Sequence, residues 1–340
     1  MVTCIEGRSA DEVWTKAARQ LMEGGCTVTS DSRLGITKEI RQCILSIGQP
    51  RCRWTVSRIP AINPAFAIAE TVWILAGSRE AGAINYWNAQ LPKFAGTSEI
   101  YHGAYGFRLR SHFGRDQLEA AYSTLKGNPT SRQVVLQIWD PTIDLPNADG
   151  SPASPDIPCN IGALLKVREG KLDWTQIVRS NDIFRGLPYN LIQFTVLQEV
   201  MAGWLGLDVG TYTQLSDSLH LYETDFSTIN ICSDSGAFGE TDSSLALEKE
   251  HFDRVLQLLV RTLERFSASD LSRREFEQLH NATDLPQGYL DHMLVVAAEA
   301  ARKRGWDDQI GYIIGRCNSA QLLLAWERWL QRGDERRRSG

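Results

Sequence analysis

The stretch from residue 161 to residue 222 constrains the fold more than any other part of the chain. Residues 161–180 predict two strands joined by a tight Glu-Gly-Lys turn, and residues 211–222 predict a third strand. Between them, the sequence from Tyr189 to Leu205 is strongly apolar and has the length of a helix. Because a helix that is apolar on all sides has to be buried, this stretch predicts a helix packed against a β-sheet.

The rest of the chain shows further predicted elements, with no internal repeat and no long linker. Helices are predicted at residues 10–23 with Ser9 as N-cap, from Pro64 to just before Gly77, and near 247–267, 289–304 and 319–332, and strands near 40–47 and at 133–139. Residues 80–115 are rich in aromatic residues and glycine but have no periodicity, so they predict either an excursion beside a cofactor or an ordinary loop. We expect one α+β domain over residues 1–332 and a frayed tail at 333–340.

Composition excludes several classes of protein. A net charge of −5, with 36 basic residues interspersed among 41 acidic ones, provides no broad positive surface for a nucleic acid polymer or an anionic membrane. The seven cysteines include no CxxC pair and no Cys/His cluster, so neither disulfides nor a metal site are indicated. The sequence shows no secretory signal and no apolar run of roughly 18 residues. We therefore expect a cytoplasmic protein, for which a few arginines could still bind a small anionic ligand.

Three short segments could carry chemistry: PCN at 158–160, RSNDIFRGLPYN at 179–190 and SLHLY at 218–222. A lone cysteine after proline is usually structural, because a nucleophilic cysteine needs a positive neighbourhood that favours the thiolate. Arginines can supply that neighbourhood, and the Arg179-Ser180 pair offers a guanidinium fork and a hydroxyl to a phosphate. Taken singly, each segment would be read as ordinary strand or surface.

Taken together and in order, these segments resemble the thymidylate synthases, whose pattern is Pro-Cys-His, Arg-Ser-x-Asp…Gly-x-Pro-Phe-Asn and Asp-x-His-x-Tyr. Four further segments fit the same order: DSRLG at 31–35, ETVWILAG at 70–77, YG at 105–106 and NPTSR at 128–132. The resemblance runs from about residue 11 to residue 225. It implies the thymidylate synthase-like α+β fold, in which helices flank a large mixed β-sheet, and leaves a divergent helical part at about 226–332.

The resemblance also implies roles in catalysis. Cys159 would attack C6 of a pyrimidine nucleoside monophosphate and activate C5 toward 5,10-methylenetetrahydrofolate, with no metal involved. Tyr105 would lie beside the nucleophile, Glu70 would orient water for proton transfers, and Asp182 would contact the pterin. Asn160 occupies the place next to the nucleophile where the family has histidine.

The nucleotide itself would be held through its phosphate, base and sugar. The resemblance implies Arg33, Arg132, Arg179 and Ser180 for the phosphate, Asn190 for the base edge, and His220 and Tyr222 for the sugar hydroxyl. Arg132 would reach in from a second subunit, so we expect a homodimer.

Departures from the family pattern bear on the fate of the transferred carbon. Asn160 replaces the histidine after the cysteine, Gln133 replaces a second arginine, and Ser218 replaces an aspartate. The long helical C-terminus lacks the short hydrophobic ending that closes over the folate, whereas hydride transfer requires a pocket that excludes water. RSND and SLHxY instead resemble the phage deoxycytidylate hydroxymethylases, in which water captures the methylene. The sequence therefore favours 5-hydroxymethylation over the reductive methylation of a thymidylate synthase.

The base and the sugar stay open at this stage. Asn190 offers one donor and one acceptor, which match N3–H and O4 of uracil, but a flipped amide would match cytosine. The hydroxymethylase-like segments narrowly favour CMP or dCMP, and dUMP remains an alternative. A homologue that binds nucleotide or RNA without catalysis is a third interpretation, although the nucleophile and the phosphate arginines are all retained.

Overall fold

The computed structural model describes residues 2–24, 27–32, 35–232, 243–281 and 284–339. Its strands are β1 (Thr3–Gly7), β2 (Val28–Ser32), β3 (Gly35–Ile47), β4 (Arg58–Ile59), β5 (Val135–Gln137), β6 (Asn160–Arg168), β7 (Lys171–Val178), β8 (Asn181–Asp182), β9 (Asp208–Tyr222) and β10 (Asn230–Ile231). The main sheet has the order β1-β3-β9-β7-β6-β5, with β2 beside β3 and β8 beside β9, while β4 pairs with β10. The sheet contains parallel pairs (β1 with β3, β7 with β9, β8 with β9) as well as antiparallel ones, so it is mixed, as predicted.

Helices account for most of the remaining chain. They are α1 (Ala10–Glu23), α2 (Pro64–Leu75), α3 (Ala81–Asn85), α4 (Pro92–Ala95), α5 (Tyr105–Phe107), α6 (Gln117–Gly127), α7 (Pro141–Asp144), α8 (Leu187–Leu205), α9 (Lys249–Ser267), α10 (Arg273–Asn281), α11 (Gln287–Lys303), α12 (Asp307–Ile314) and α13 (Ala320–Ser339). None of the helices in the described parts of the chain is long and apolar enough to cross a membrane.

Local signals explain the ends of the best-predicted helices. The Ser9 side chain accepts a hydrogen bond from the Glu12 N–H at the start of α1, and Gly24 ends that helix in the left-handed conformation. Gly206 ends α8 in the same way, with φ 66°. Most residues of α8 are buried along the whole length of the helix, which packs against β7, β9, α2 and α6. The predicted central helix is thus confirmed.

The C-terminal helices complete the same core. α9 and α11 pack on α2, α9 also contacts α8, and α13 contacts α2 and α11. Glu199 on α8 connects the two parts, because its buried carboxylate accepts hydrogen bonds from Leu245 N at 2.9 Å and Ser244 Oγ at 3.1 Å and pairs with Arg51 and Arg53. The predicted division into one domain with a divergent C-terminal part and a tail stays a prediction.

Among the described residues, α1 and α8 pack on one face of the central strands, and the opposite face is only half-buried. Ile44 of β3 lies opposite Leu215 of β9, which lies opposite Ile177 of β7, and all three side chains are half-buried. The alternate residues on these strands point to the helices and are buried, as period-two alternation requires. This face of the sheet is therefore partly apolar and partly accessible.

Three parts differ from the sequence-based expectations. Residues 80–115 contain α3, α4, α5 and a π-helical turn at Arg108–His112, where neither of the predicted alternatives included helices. The strand predicted at 133–139 is limited to Val135–Gln137. The elements β1, β4, β8, β10, α6, α7, α10 and α12 were not predicted, and β2 lies where the sequence predicted a loop at residues 29–35.

Candidate active site

The β6–β7 hairpin places Cys159, the candidate nucleophile, beside Arg179, a predicted phosphate ligand. Cys159 directly precedes β6, and the Arg179 N–H donates to its carbonyl oxygen at 2.9 Å. The Arg179 guanidinium donates to the carbonyls of Pro158 at 3.0 Å and Ile157 at 3.2 Å, so it braces the segment that leads into the cysteine. Cys159 is half-buried. The hairpin thus holds the Arg179 guanidinium on the two residues that precede Cys159.

Tyr105, the first residue of α5, lies next to this cysteine. Burial raises its pKa, the charge of Cys159 raises it further, and the Asn160 amide lowers it, with smaller contributions from Asp156 and Glu70. Its ring stacks on Phe194 of α8, with 6.0 Å between the ring centroids. The structure therefore brings Tyr105, Cys159, Asn160 and Glu70 together, as the resemblance implied.

Glu70 approaches the same cluster from α2. Burial raises the pKa of its carboxyl to about 8, while a hydrogen bond from Gln193 Nε2 at 2.5 Å lowers it by less. With a pKa near 8, the carboxyl holds its proton at neutral pH and can act as a proton donor. Gln193, the α8 residue that holds the carboxyl in place, was not identified from the sequence.

Asn160 is fully buried on β6. Its Oδ1 accepts a hydrogen bond from Gln176 Nε2 at 3.0 Å, and Gln176 Oε1 accepts one from Trp174 Nε1 at 2.9 Å. Gln176 was also missed from the sequence, although it continues the buried alternation of Leu172, Trp174 and Val178 along β7. That phase is the signal that could have identified it.

His220 and Tyr222 lie at the end of β9, with their rings edge to face and 5.2 Å between centroids. Burial lowers the pKa of His220, so the imidazole is neutral at pH 7 and offers one donor and one acceptor. Burial raises the pKa of Tyr222, and the charges of Asp182 and Cys159 also affect it. Tyr222 thus lies within electrostatic reach of Cys159, and the sugar-binding role of the pair stays a prediction.

Asp182 lies in β8, opposite His220 in the parallel pairing with β9. Its Oδ1 accepts hydrogen bonds from Phe184 N at 2.7 Å and Arg185 N at 3.0 Å, and its Oδ2 pairs with Arg185 Nη1 at 3.3 Å. These bonds shape the turn that leads into α8. The role of Asp182 in contacting a pterin stays a prediction.

The other residues that were predicted to bind the nucleotide lie in different parts of the chain. Asn190 is buried in the first turn of α8, and Ser180 is half-buried between β7 and β8. Arg132 is exposed before β5 and makes no hydrogen bond or ion pair with the residues that the structure describes. Arg33 lies outside the described residues. Within those residues, no group of three or more His, Cys, Asp or Glu side chains is arranged to hold a metal ion.

Comparison of the amino-acid sequence with known proteins identifies related families and proteins. The family profile described as thymidylate synthase matches residues 52–293. The chain is 37% identical over 225 residues to a deoxyuridylate hydroxymethyltransferase of Bacillus phage SP01, a match that covers 62% of this chain and 58% of the relative. It is 36% identical over 163 residues to a deoxyuridylate hydroxymethyltransferase of Pseudomonas phage M6, covering 47% and 45%.

A third relative, from Methanothermobacter marburgensis, bears the name "Putative thymidylate synthase" and is 30% identical over 222 residues, covering 64% of this chain and 93% of the relative. The chain spans about half the length of the two phage proteins. The profile covers most of the chain, including the segments that hold Cys159, Arg179 and His220. The chain therefore belongs to the thymidylate synthase family.

Proposed function

We propose that this protein is a folate-dependent enzyme that hydroxymethylates C5 of a pyrimidine nucleoside monophosphate, with dUMP as the substrate. The observation that carries the proposal is the position of Cys159 beside the Arg179 guanidinium, in one cluster with Tyr105 and Glu70. The names of the two phage relatives, which both specify deoxyuridylate, support the chemistry and the base.

The reaction requires a thiolate addition that is later reversed. The Cys159 sulfur bonds to C6, and the π electrons of the C5–C6 bond shift toward C5 and the 4-oxo group. C5 then attacks the methylene carbon of methylenetetrahydrofolate and loses its proton, and tetrahydrofolate departs with the bonding electrons to leave an exocyclic methylene. Water adds to that methylene as the thiolate is expelled, so neither an oxidant nor a reductant is consumed.

Charged and polar groups of this chain support each stage. Two donors of Arg179 fix its guanidinium on the carbonyls before Cys159, and the remaining donors are available to a phosphate. Glu70, protonated at neutral pH, can pass a proton to the ring or its leaving group. The neutral His220 and the adjacent Tyr222 can bond a sugar hydroxyl.

The base assignment departs from the narrow preference for CMP or dCMP that the sequence suggested. Asn190 offers an amide with one donor and one acceptor, which can complement O4 and N3–H of uracil, and its backbone N–H is held by the Gly186 carbonyl at 3.0 Å. Together with the names of the phage relatives, this favours dUMP.

A homodimer is part of the proposal. The half-buried face of the sheet, with Ile44, Leu215 and Ile177 in one row, is a partly apolar surface that a second copy would cover. The exposed Arg132 would then serve the phosphate site of the partner.

One incubation tests the function. Purified protein is mixed with methylenetetrahydrofolate and equal amounts of CMP, dCMP, UMP and dUMP, and the nucleotides are analysed by mass spectrometry. We expect only dUMP to gain one CH₂O, with release of tetrahydrofolate. Dihydrofolate formed in proportion to a methylated product would instead identify a thymidylate synthase, the alternative that the name of the archaeal relative favours.

A further inference from the structure

Asp156 is a half-buried carboxylate in the segment that leads directly into Cys159. Its Oδ2 accepts a hydrogen bond from the Gly103 N–H at 2.7 Å. Its Oδ1 has no hydrogen-bond partner among the residues that the structure describes. One oxygen therefore holds the side chain in place, and the other can accept a hydrogen bond from a ligand or from water.

The backbone at Gly103 touches the same segment. A Cβ atom on Gly103 would come within 3.0 Å of the Asp156 carbonyl oxygen and 3.1 Å of its Oδ1, which is closer than side chains normally pack. Tyr105 follows two positions later. Besides burial, the charges of Cys159, Asp156 and Glu70 raise the pKa of its hydroxyl, so all three groups lie near it. Asp156 thus belongs to the cluster that contains the candidate nucleophile.

The surroundings of Asp156 suit a group that takes up a proton. Burial raises the pKa of its carboxyl above the ordinary value, which makes it a stronger base than an exposed aspartate. The Gly103 N–H and the nearby charges of His102 and Arg108 lower the pKa and favour the ionised form. Asp144 has the opposite effect, but it is buried and already pairs with Arg108 at 2.9 Å.

The last step of the proposed reaction needs such a base, because the water molecule that captures the methylene has to lose a proton. Glu70 is unsuited, since its carboxyl is already protonated at neutral pH. Both oxygens of Asp182 are occupied, one by two backbone N–H groups and the other by the Arg185 guanidinium. Asp156, by contrast, combines nearness to the nucleophile with an oxygen that has no partner in the described part of the chain.

We propose that Asp156 is a further catalytic residue, the general base for the water molecule that captures the exocyclic methylene. This inference rests on the proposed function and deepens it, because it identifies the group that directs the carbon to a hydroxymethyl product. The water oxygen bonds to the methylene carbon, and one water proton passes to Asp156 Oδ1. The π electrons of the exocyclic bond restore the C5–C6 double bond, and the C6–S bond breaks with its electron pair on the Cys159 sulfur.

The variant Asp156→Asn tests this step, because it removes the charge and keeps an oxygen that can accept from the Gly103 N–H. Labelled dUMP and methylenetetrahydrofolate are added to the variant and to the wild type. We expect the variant to release tritium from C5 in a burst that stops after a single turnover. Formation of the hydroxymethyl nucleotide should slow about 10²-fold or more, the usual contribution of a general base. Mass spectrometry of the intact protein should then show a covalent adduct of protein, dUMP and one further carbon atom.

A second variant and a control accompany this measurement. Asp156→Ser also lacks the carboxylate, and it takes the place of Asp156→Asn if that variant does not fold. Asp149→Asn changes an exposed carboxylate in the same loop, one that bonds only to Ser151 in the described part of the chain, and should behave as the wild type. Near-UV circular dichroism should show native packing in each protein compared.

The outcomes separate this inference from the proposed function. A folded Asp156→Asn or Asp156→Ser protein that forms the hydroxymethyl nucleotide at the wild-type rate would overturn the role of Asp156. Loss of the tritium burst in a folded variant would also overturn it, because the carboxylate would then act before the methylene is formed. A wild-type protein that neither releases tritium nor forms a hydroxymethyl nucleotide would instead refute the proposed function itself.

Discussion

Replacing Glu70 by glutamine tests the electrostatics of the site with a minimal change of shape. Burial raises the pKa of this carboxyl from an ordinary value of 4.5 to about 8, so the folded protein retains a proton that the unfolded chain releases above about pH 4.5. Between these two values the folded state binds more protons than the unfolded state. The contribution of Glu70 to the free energy of unfolding therefore falls as the pH rises through this window.

The size of the effect follows from linkage. At about 1.36 kcal/mol for each pH unit, the rise from 4.5 to about 8 corresponds to on the order of 5 kcal/mol. Glutamine stays neutral and can still accept the hydrogen bond from Gln193, so it lacks this pH dependence. Relative to the wild type, Glu70→Gln should gain several kcal/mol between about pH 5 and about pH 9.

Urea unfolding of both proteins at these two pH values measures the difference. Glu250→Gln, a change of an exposed carboxylate on α9, serves as the matched control and should stay parallel to the wild type. The catalytic readout is tritium release from C5 of labelled dUMP, which should slow about 10²- to 10⁴-fold in Glu70→Gln if the carboxyl transfers protons. If the free energies of unfolding of Glu70→Gln and the wild type change in parallel with pH across this range, the Glu70 carboxyl does not have the raised pKa described above.

The remaining predictions concern the nucleophile, the base and the core. Cys159→Ala should abolish tritium release while phosphate-dependent nucleotide binding, measured by calorimetry, stays largely intact; release that persists would contradict the assignment. Asn190→Asp presents only acceptors when ionised and should reverse the binding preference from dUMP toward dCMP, whereas an unchanged preference would remove Asn190 from the base site. Arg53→Met leaves the buried Glu199 carboxylate without its nearest cation and should lower the free energy of unfolding by about 3 kcal/mol in urea titrations. A loss below about 1 kcal/mol would mean that Arg51 alone suffices.

The sequence predicted the elements whose signals are local. The Ser9 cap, the β6–β7 hairpin and the apolar helix α8 each carry their pattern within a few turns or strands, and the structure confirms them. Strand β1 has a single buried residue, Ile5, and its partner β3 lies some forty residues further along the chain, so no local pattern marks it. The helices between residues 80 and 115 are too short to complete two turns, and therefore show no periodicity.

In the candidate site, too, the sequence could identify some residues and could not identify others. Cys159, Arg179 and His220 occur in ordered motifs, so the sequence could identify them and their neighbourhood. The glutamines that contact other residues of the site could not be identified from their residue type alone. A glutamine on a strand or a helix is normally expected to face the solvent. Gln176 and Gln193 are buried by tertiary packing. Arg132 would act only across a subunit boundary, which one chain does not contain.

The hydrogen bonds and ion pairs of Glu199 determine how the protein unfolds. The same helix, α8, offers Asn190 to the site at its first turn and binds the segment before α9 through Glu199. If the C-terminal helices detached, the buried Glu199 carboxylate would lose two hydrogen bonds and keep only its ion pairs with Arg51 and Arg53. We therefore expect the candidate active site and the C-terminal helices to unfold together, in one calorimetric transition. A protein truncated before Ser244 should not fold stably.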